Sequence, residues 1–285
     1  MRRLIVSTLF LCSGFILTLT PIGCDSPPDE ETPTPTQTPT PSVSPTPMPT
    51  QTPPPDASPT PDDGPSPSEP PSTPGPTDSP LCASSSGDEP SDPFIDCVVS
   101  YDPPLAPEDM YGYDSFPEVV FGSPEGDEDG GGSTDVLSLG CGGTIEVYFE
   151  WPAIVDGEGA DFIVFENPFY YGETTFAEPA QVSVSEDGVE WVTFPCEVDG
   201  QGTWPPTGCA GVYPVYAGSS NDLDPTDPEV AGGDAFDLAT VGLEKARYIR
   251  LEDRTVEYYG DETWCGTSGG FDLDAISIVN QEPLD

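Results

Sequence analysis

The sequence predicts an all-β fold, an antiparallel jelly-roll-like β-sandwich preceded by a disordered Pro/Thr-rich tether. Three observations predict it. Of the 39 prolines, 21 fall within residues 25–80, and from Leu81 onward aromatic and β-branched residues return. Short segments of alternating apolar and polar residues recur through residues 81–285, the period of a half-buried strand. Glycine and proline are spread through that region, so it has no room for a long helix. Its 205 residues suit one sandwich domain.

The elements follow in order. Residues 144–150 read T-I-E-V-Y-F-E and residues 161–166 read D-F-I-V-F-E. Residues 181–185 (Q-V-S-V-S), the turn Glu186-Asp187-Gly188 and residues 189–194 (V-E-W-V-T-F) make a hairpin pattern. Residues 246–251 (A-R-Y-I-R-L) and 271–279 (F-D-L-D-A-I-S-I-V) supply the last two strands. With less regular segments between them, about eight or nine strands are expected, as in sandwiches and jelly rolls. No internal repeat occurs apart from the Thr-Pro tract.

Residues 1–23 read as an export signal: Arg2 and Arg3, then an apolar run broken by small and hydroxyl residues. The run is short for a membrane span, which needs about 20 apolar residues. It ends at Pro21-Ile22-Gly23-Cys24, which resembles the lipobox of bacterial lipoproteins, although Pro21 stands where that motif usually has Leu. The resemblance implies cleavage before Cys24 and lipidation of its sulfur, hence a membrane anchor. The competing reading is an ordinary signal peptide with an incidental cysteine. Residues 24–80 then form a linker too poor in apolar side chains to fold. As polyproline II, at ~3.1 Å per residue, it would reach about 170 Å.

Besides Cys12 and Cys24 the chain has Cys82, Cys97, Cys141, Cys196, Cys209 and Cys265. An even count in an exported chain implies three disulfides. Nearness in sequence favours Cys82–Cys97 and Cys196–Cys209, which leaves Cys141–Cys265 to join distant parts of the domain.

Charge excludes whole classes of function. The chain has 52 acidic residues, 6 basic ones, no histidine and a formal net charge of −46. A nucleic-acid partner is excluded for want of a basic face. Without histidine there is no Ser-His-Asp triad, no Cys-His pair and no imidazole-ligated zinc. Carboxylates beside core residues are costly unless partnered. Calcium, which takes 6–8 oxygen ligands, is the natural partner. The expected ligands are drawn from Asp161, Glu166, Asn167, Asp272 and Asp274, with Asp272 and Asp274 sharing a strand face. The alternative is that these carboxylates only accept backbone N–H groups in turns. The acidic runs at 127–130 and 222–227 do not complete an EF-hand loop and read as solvated loops. The basic residues Lys245, Arg247, Arg250 and Arg254 read as neutralising nearby carboxylates.

Aromatic residues cluster in loop-like stretches. Tyr170 lies beside Phe169 and Tyr171, Trp204 lies inside the expected Cys196–Cys209 loop, and Trp264 follows Tyr258 and Tyr259. Tyr170, Trp204 and Trp264 are candidate platforms for stacking sugar rings. Loop aromatics packed beneath a disulfide-tied surface are the plainer alternative.

Five blocks follow in order: V-L-S-L-G-C-G-G-T-I-E-V-Y-F (136–149), D-G-E-G-A-D-F-I-V-F-E-N-P-F (156–169), F-A-E-P-A-Q-V-S-V-S-E-D-G (176–188), A-G-G-D-A-F-D-L-A-T-V-G-L (231–243) and G-F-D-L-D-A-I-S-I-V-N (270–280). Together they resemble a group of exported bacterial cell-surface proteins of unknown function, over most of the folded region. The ending also resembles the last strands of discoidin or galactose-binding-like sandwiches. These resemblances imply a surface location and a fold, and assign no activity or functional residue.

The expected protein is therefore an exported, membrane-anchored lipoprotein facing the periplasm or the cell exterior. Its sandwich is a non-catalytic binding module, calcium-supported and directed at an extracellular glycan or surface protein. One alternative is a structural or adhesive coat component without a small ligand. The other is a carboxylate-based glycoside hydrolase using Glu166 with Asp272 or Asp274.

Overall fold

A computed structural model of the chain describes Leu81 and residues 92–172 and 174–283. The export signal, Cys24, the tether and Cys82 lie outside the described residues. Fourteen strands run in chain order: β1 (Cys97–Asp102), β2 (Leu137–Ser138), β3 (Thr144–Tyr148), β4 (Ile154–Val155), β5 (Phe162–Phe165), β6 (Phe169–Tyr171), β7 (Thr174–Phe176), β8 (Ala180–Ser185), β9 (Val192–Thr193), β10 (Asp234–Phe236), β11 (Lys245–Ala246), β12 (Tyr248–Asp253), β13 (Asp272–Leu273) and β14 (Ala275–Ile278). The described residues contain one α-helix, α1 (Thr255–Tyr259). None of their helices is long and apolar enough to cross a membrane.

The architecture is an all-β sandwich of antiparallel sheets. The larger sheet has the order β1-β3-β12-β8-β9 and the smaller β10-β5-β14. In the larger sheet the period of two decides what is buried. Ile145 and Val147 of β3 and Ile249 and Leu251 of β12 are fully buried, while Glu146 and Arg250 sit opposite one another on the outer face. The inward residues meet Phe162, Val164, Ile276 and Ile278 of the smaller sheet in one core. Face-to-face packing of two sheets buries both inner surfaces and is the main source of stability.

The smaller sheet is covered on its other face too. Ile163 and Phe165 of β5 pack with Val215, Ala217, Ala231 and Ala275 in a second cluster. That second cover explains why all four β5 side chains are buried and why this strand reads as an unbroken apolar run.

Several expected elements are cut differently. The segment 271–279 forms two strands: β13 pairs with β2, and β14 pairs with β5. The chain changes sheets at Asp274, so a single alternating sequence serves two partners. The segment 246–251 also divides, because β11 pairs with β4 whereas β12 joins the large sheet. Of 189–194 only β9 pairs, since Asp187 draws the preceding residues into a turn. Its Oδ1 accepts the N–H groups of Val189 and Glu190 at 2.8 and 2.9 Å. Among the described residues fourteen short strands stand where eight or nine were expected.

The basic residues of the domain all form partly exposed ion pairs. Lys245 and Arg247 reach Glu282 at 2.9 and 3.2 Å, Arg250 reaches Glu146 at 2.7 Å, and Arg254 reaches Glu257 at 3.5 Å. Partly exposed pairs like these are worth about 0–1 kcal/mol each.

Two expected disulfides are present, Cys141–Cys265 and Cys196–Cys209. Cys97 is also disulfide-bonded. The Cys141–Cys265 bridge spans 124 residues and ties the loop before β13 to the turn before β3. Replacing both cysteines by serine is expected to lower unfolding stability by about 2–4 kcal/mol, read from urea unfolding of the non-reduced protein. An unchanged urea midpoint would show that the bridge constrains little.

Candidate functional site

The five expected metal ligands fall in three different places. Asp161 and Glu166 flank opposite ends of β5. At ~3.3 Å per residue a strand holds such positions roughly 16 Å apart, too far to share one ion. Asp272 pairs in β13 whereas Asp274 sits at the sheet change, and their partners differ: the Asp272 N–H donates to Glu166, and Asp274 accepts from the Glu125 N–H.

Asp161 serves as a lock between loops. Its Oδ1 accepts from the Gly157 N–H at 2.8 Å and the Asn280 Nδ2 at 2.9 Å, and its Oδ2 accepts from the Leu238 N–H at 2.7 Å. It also lies near Asp156 and Asp237. Its donors already satisfy both oxygens. Asp274 accepts from the Glu125 N–H at 3.1 Å. Burial pushes its pKa up to about 7.

Glu166 and Asp272 come together, joined by Glu178, which the sequence reading passed over. One oxygen from each lies within 4.8 Å of the others, and all three residues are buried. Glu166 follows β5, Glu178 lies between β7 and β8, and Asp272 opens β13. Glu166 Oε1 accepts from the Asp272 N–H at 3.3 Å, and Glu178 Oε1 accepts from the Gly270 N–H at 2.8 Å. Gly270 takes φ +79° with its Cα against the Gly140 backbone, where a Cβ would come within 2.6 Å. Only glycine fits a turn this tight at positive φ. The side chains of Ser138 and Asn167 lie beside Asp272, with Ser138 Oγ donating to the Gly269 carbonyl at 3.1 Å and Asn167 Nδ2 to the Ser133 carbonyl at 2.9 Å. Glu166 Oε2 and Asp272 Oδ1 are buried without a hydrogen-bond partner.

Burial and mutual repulsion set the protonation of this group. Desolvation, then the charges of Asp272 and Glu178, push Glu166 well above the usual carboxylate range. Desolvation, then Asp272, raises Glu178 to about 9. Desolvation raises Asp272 to about 7 against the adjacent Ser138 and Asn167 side chains. Nearby Asp253 is also raised by burial, but its oxygens receive the N–H groups of Gly142, Thr255 and Phe271 and the Thr255 hydroxyl. That carboxylate is structural: it fixes Phe271, the residue before Asp272.

Glu178 and Asp272 line a cavity of about 360 Å³ together with Asn167, Phe169, Phe176 and Trp264, and Glu166 lies behind them, 2% exposed. Phe169 and Phe176 are cross-strand partners in the β6–β7 hairpin, stacked at 5.2 Å. Trp264 packs edge-on against Phe176 at 5.1 Å and stays 45% exposed. The Cys141–Cys265 bridge, one residue on, holds it there. Of the three expected aromatic platforms, Trp264 alone lines this cavity. Tyr170 points to the other face of the hairpin and meets the Tyr216 hydroxyl at 2.6 Å. Trp204 packs edge-on against Tyr213.

A larger cavity, about 550 Å³, is lined by Pro195, Pro205, Pro206, Tyr213 and Phe236 with the buried Asp234. Asp234 Oδ2 accepts from Val212 N–H at 2.9 Å, so this cavity lacks an unsatisfied buried acid. The acidic runs at 127–130 and 222–227 are turns in which Asp127, Asp224 and Asp227 accept nearby backbone N–H groups.

No protein-family model matches the chain, and a search of curated proteins found no match.

Buried acids make stability depend on pH. Desolvation raises Asp234 to about 7 and Asp96 to about 6, from an ordinary 3.8. Between the ordinary and the raised values the folded state binds more protons than the unfolded chain. This stabilisation is full at low pH and is lost as pH rises through about 6–7. In chelator-containing buffer the thermal midpoint is expected to rise as pH is lowered from about 8 to about 5. A falling midpoint across that range would contradict this account.

Proposed function

We propose that the chain is a non-catalytic, lipid-anchored protein of the periplasm or cell exterior whose sandwich binds extracellular glycan. The observation that carries this reading is Trp264, exposed on the wall of a cavity whose floor is polar. A sugar ring has an apolar face and a hydroxyl edge, and this cavity offers a surface for each. The charge of the domain narrows the ligand. Nine of the 52 acidic residues lie in residues 25–80, which leaves 43 against four basic ones from Leu81 onward. A net charge near −39 disfavours acidic glycans and favours neutral ones.

A second reading follows from the raised carboxylates facing one another in a cavity. A hydrolase needs a protonated acid beside an ionised partner, with ~5 Å between carboxylates in the retaining class. Glu178 and Asp272 would take those roles.

One experiment separates the two. The intact protein is applied to an array of neutral and sialylated oligosaccharides, and bound and released sugars are analysed. Retention of neutral glycans, lowered at least tenfold in Trp264→Ala and unchanged in Trp204→Ala, is the expected result. Shortened products that disappear in Glu178→Gln would favour the hydrolase. No retention and no cleavage would reject both.

The anchor has its own test. Cys24→Ala is expected to move the protein from the membrane fraction to the soluble fraction, and unchanged fractionation would count against lipidation.

A further inference from the structure

We infer that Glu166, Glu178 and Asp272 form a calcium-class cation site beside the Trp264 cavity, which Glu178 and Asp272 line. The inference does not depend on a glycan being the ligand, because the ion can be measured alone.

Four observations support it. The first is spacing: three carboxylate oxygens within 4.8 Å of one another can surround an ion whose bonds to oxygen are about 2.3–2.6 Å. The second is the orphaned oxygens. Glu166 and Asp272 are 2% and 6% exposed, and each keeps one buried oxygen with no hydrogen-bond donor. Buried polar atoms are normally partnered, so two orphans in one cluster mark a missing partner.

The third is the contrast with other buried acids. Asp161 and Asp253 have donors on both oxygens. The fold can supply enough N–H groups to a buried carboxylate, and around Glu166 and Asp272 it does not. The fourth is that Lys245, Arg247, Arg250 and Arg254 are all paired with acids outside this cluster. The domain therefore has no basic side chain to offer these carboxylates.

The donor set fixes the class of ion. It is all oxygen, and Cys265, which also lines the cavity, is tied up in its disulfide. Hard cations prefer such ligands. Calcium accepts irregular shells of 6–8 oxygens, whereas magnesium demands an octahedron and keeps its water. Three carboxylates from separate segments of the chain, beside a cavity with room for further ligands, match the calcium pattern.

The test uses the intact protein, stripped with a chelator and dialysed. Calcium chloride is titrated calorimetrically, and terbium is followed by luminescence sensitised through Trp264. The expected result is one calcium site per chain at this cluster, a raised thermal midpoint on calcium addition, and terbium emission quenched by excess calcium. Glu178→Gln, which preserves shape, is expected to weaken calcium binding at least tenfold with the circular dichroism spectrum unchanged. Asp127→Asn, in an exposed turn, is expected to bind like the parent. The inference is overturned by absence of calcium heat and midpoint shift in the parent. It is equally overturned by undiminished affinity in a folded Glu178→Gln, or by tighter binding of magnesium than of calcium.

Discussion

The structure depends on how buried carboxylates are satisfied when positive charge is scarce. Among the described residues seven acidic side chains are buried, and the four basic residues of the domain all sit in partly exposed ion pairs. The remaining donors are backbone N–H groups and a few side chains. Asp161 binds one set of loops together with them, and Asp253 fixes the approach to β13. These acids work as cross-links between segments distant in sequence, because a carboxylate can accept several N–H bonds at once. Where the donors run short, at Glu166 and Asp272, each carboxylate keeps one buried oxygen without a hydrogen-bond donor. The candidate site lies where the supply of backbone donors ends.

The sheets determine which acids meet. β5 is covered on both faces, so its side chains are core and its acids are pushed to its two ends. One end, Asp161, closes on the loops before β11 and after β14. The other end, Glu166, turns toward β13. The chain then changes sheets at Asp274, which separates that residue from Asp272 although only two positions divide them. Glu178 reaches the cluster because the β6–β7 hairpin folds back and delivers the residues before β8 to the same end. The hairpin also carries Phe169 and Phe176, and the Cys141–Cys265 bridge holds Trp264 against them. Polar floor and aromatic wall thus arise from one local arrangement.

Parts of the site were legible in the sequence. Glu166 and Asp272 stand out as acids next to fully apolar strand residues, and Trp264 as an aromatic beside a cysteine. Asp161 and Glu166 flank opposite ends of the four-residue β5, so their separation is legible in the spacing. Glu178 carried a weaker signal, an acid before Pro179 between two strand patterns, with nothing to connect it to Asp272 ninety-four positions later.

By itself the sequence determined the all-β class, the alternating strands around Ile145, Val182 and Ile249, and an even set of cysteines in the folded region; that Cys141 meets Cys265 and Cys196 meets Cys209 is decided by the fold. Local periodicity and cysteine parity are properties of neighbouring residues and of composition, so a linear reading reaches them. The tertiary structure alone decided which carboxylates converge, which keep an unpartnered oxygen, and where β13 gives way to β14. Those outcomes depend on which strand lies alongside and how many N–H groups point inward. Pairing over a hundred residues of chain is set by the packing of the two sheets.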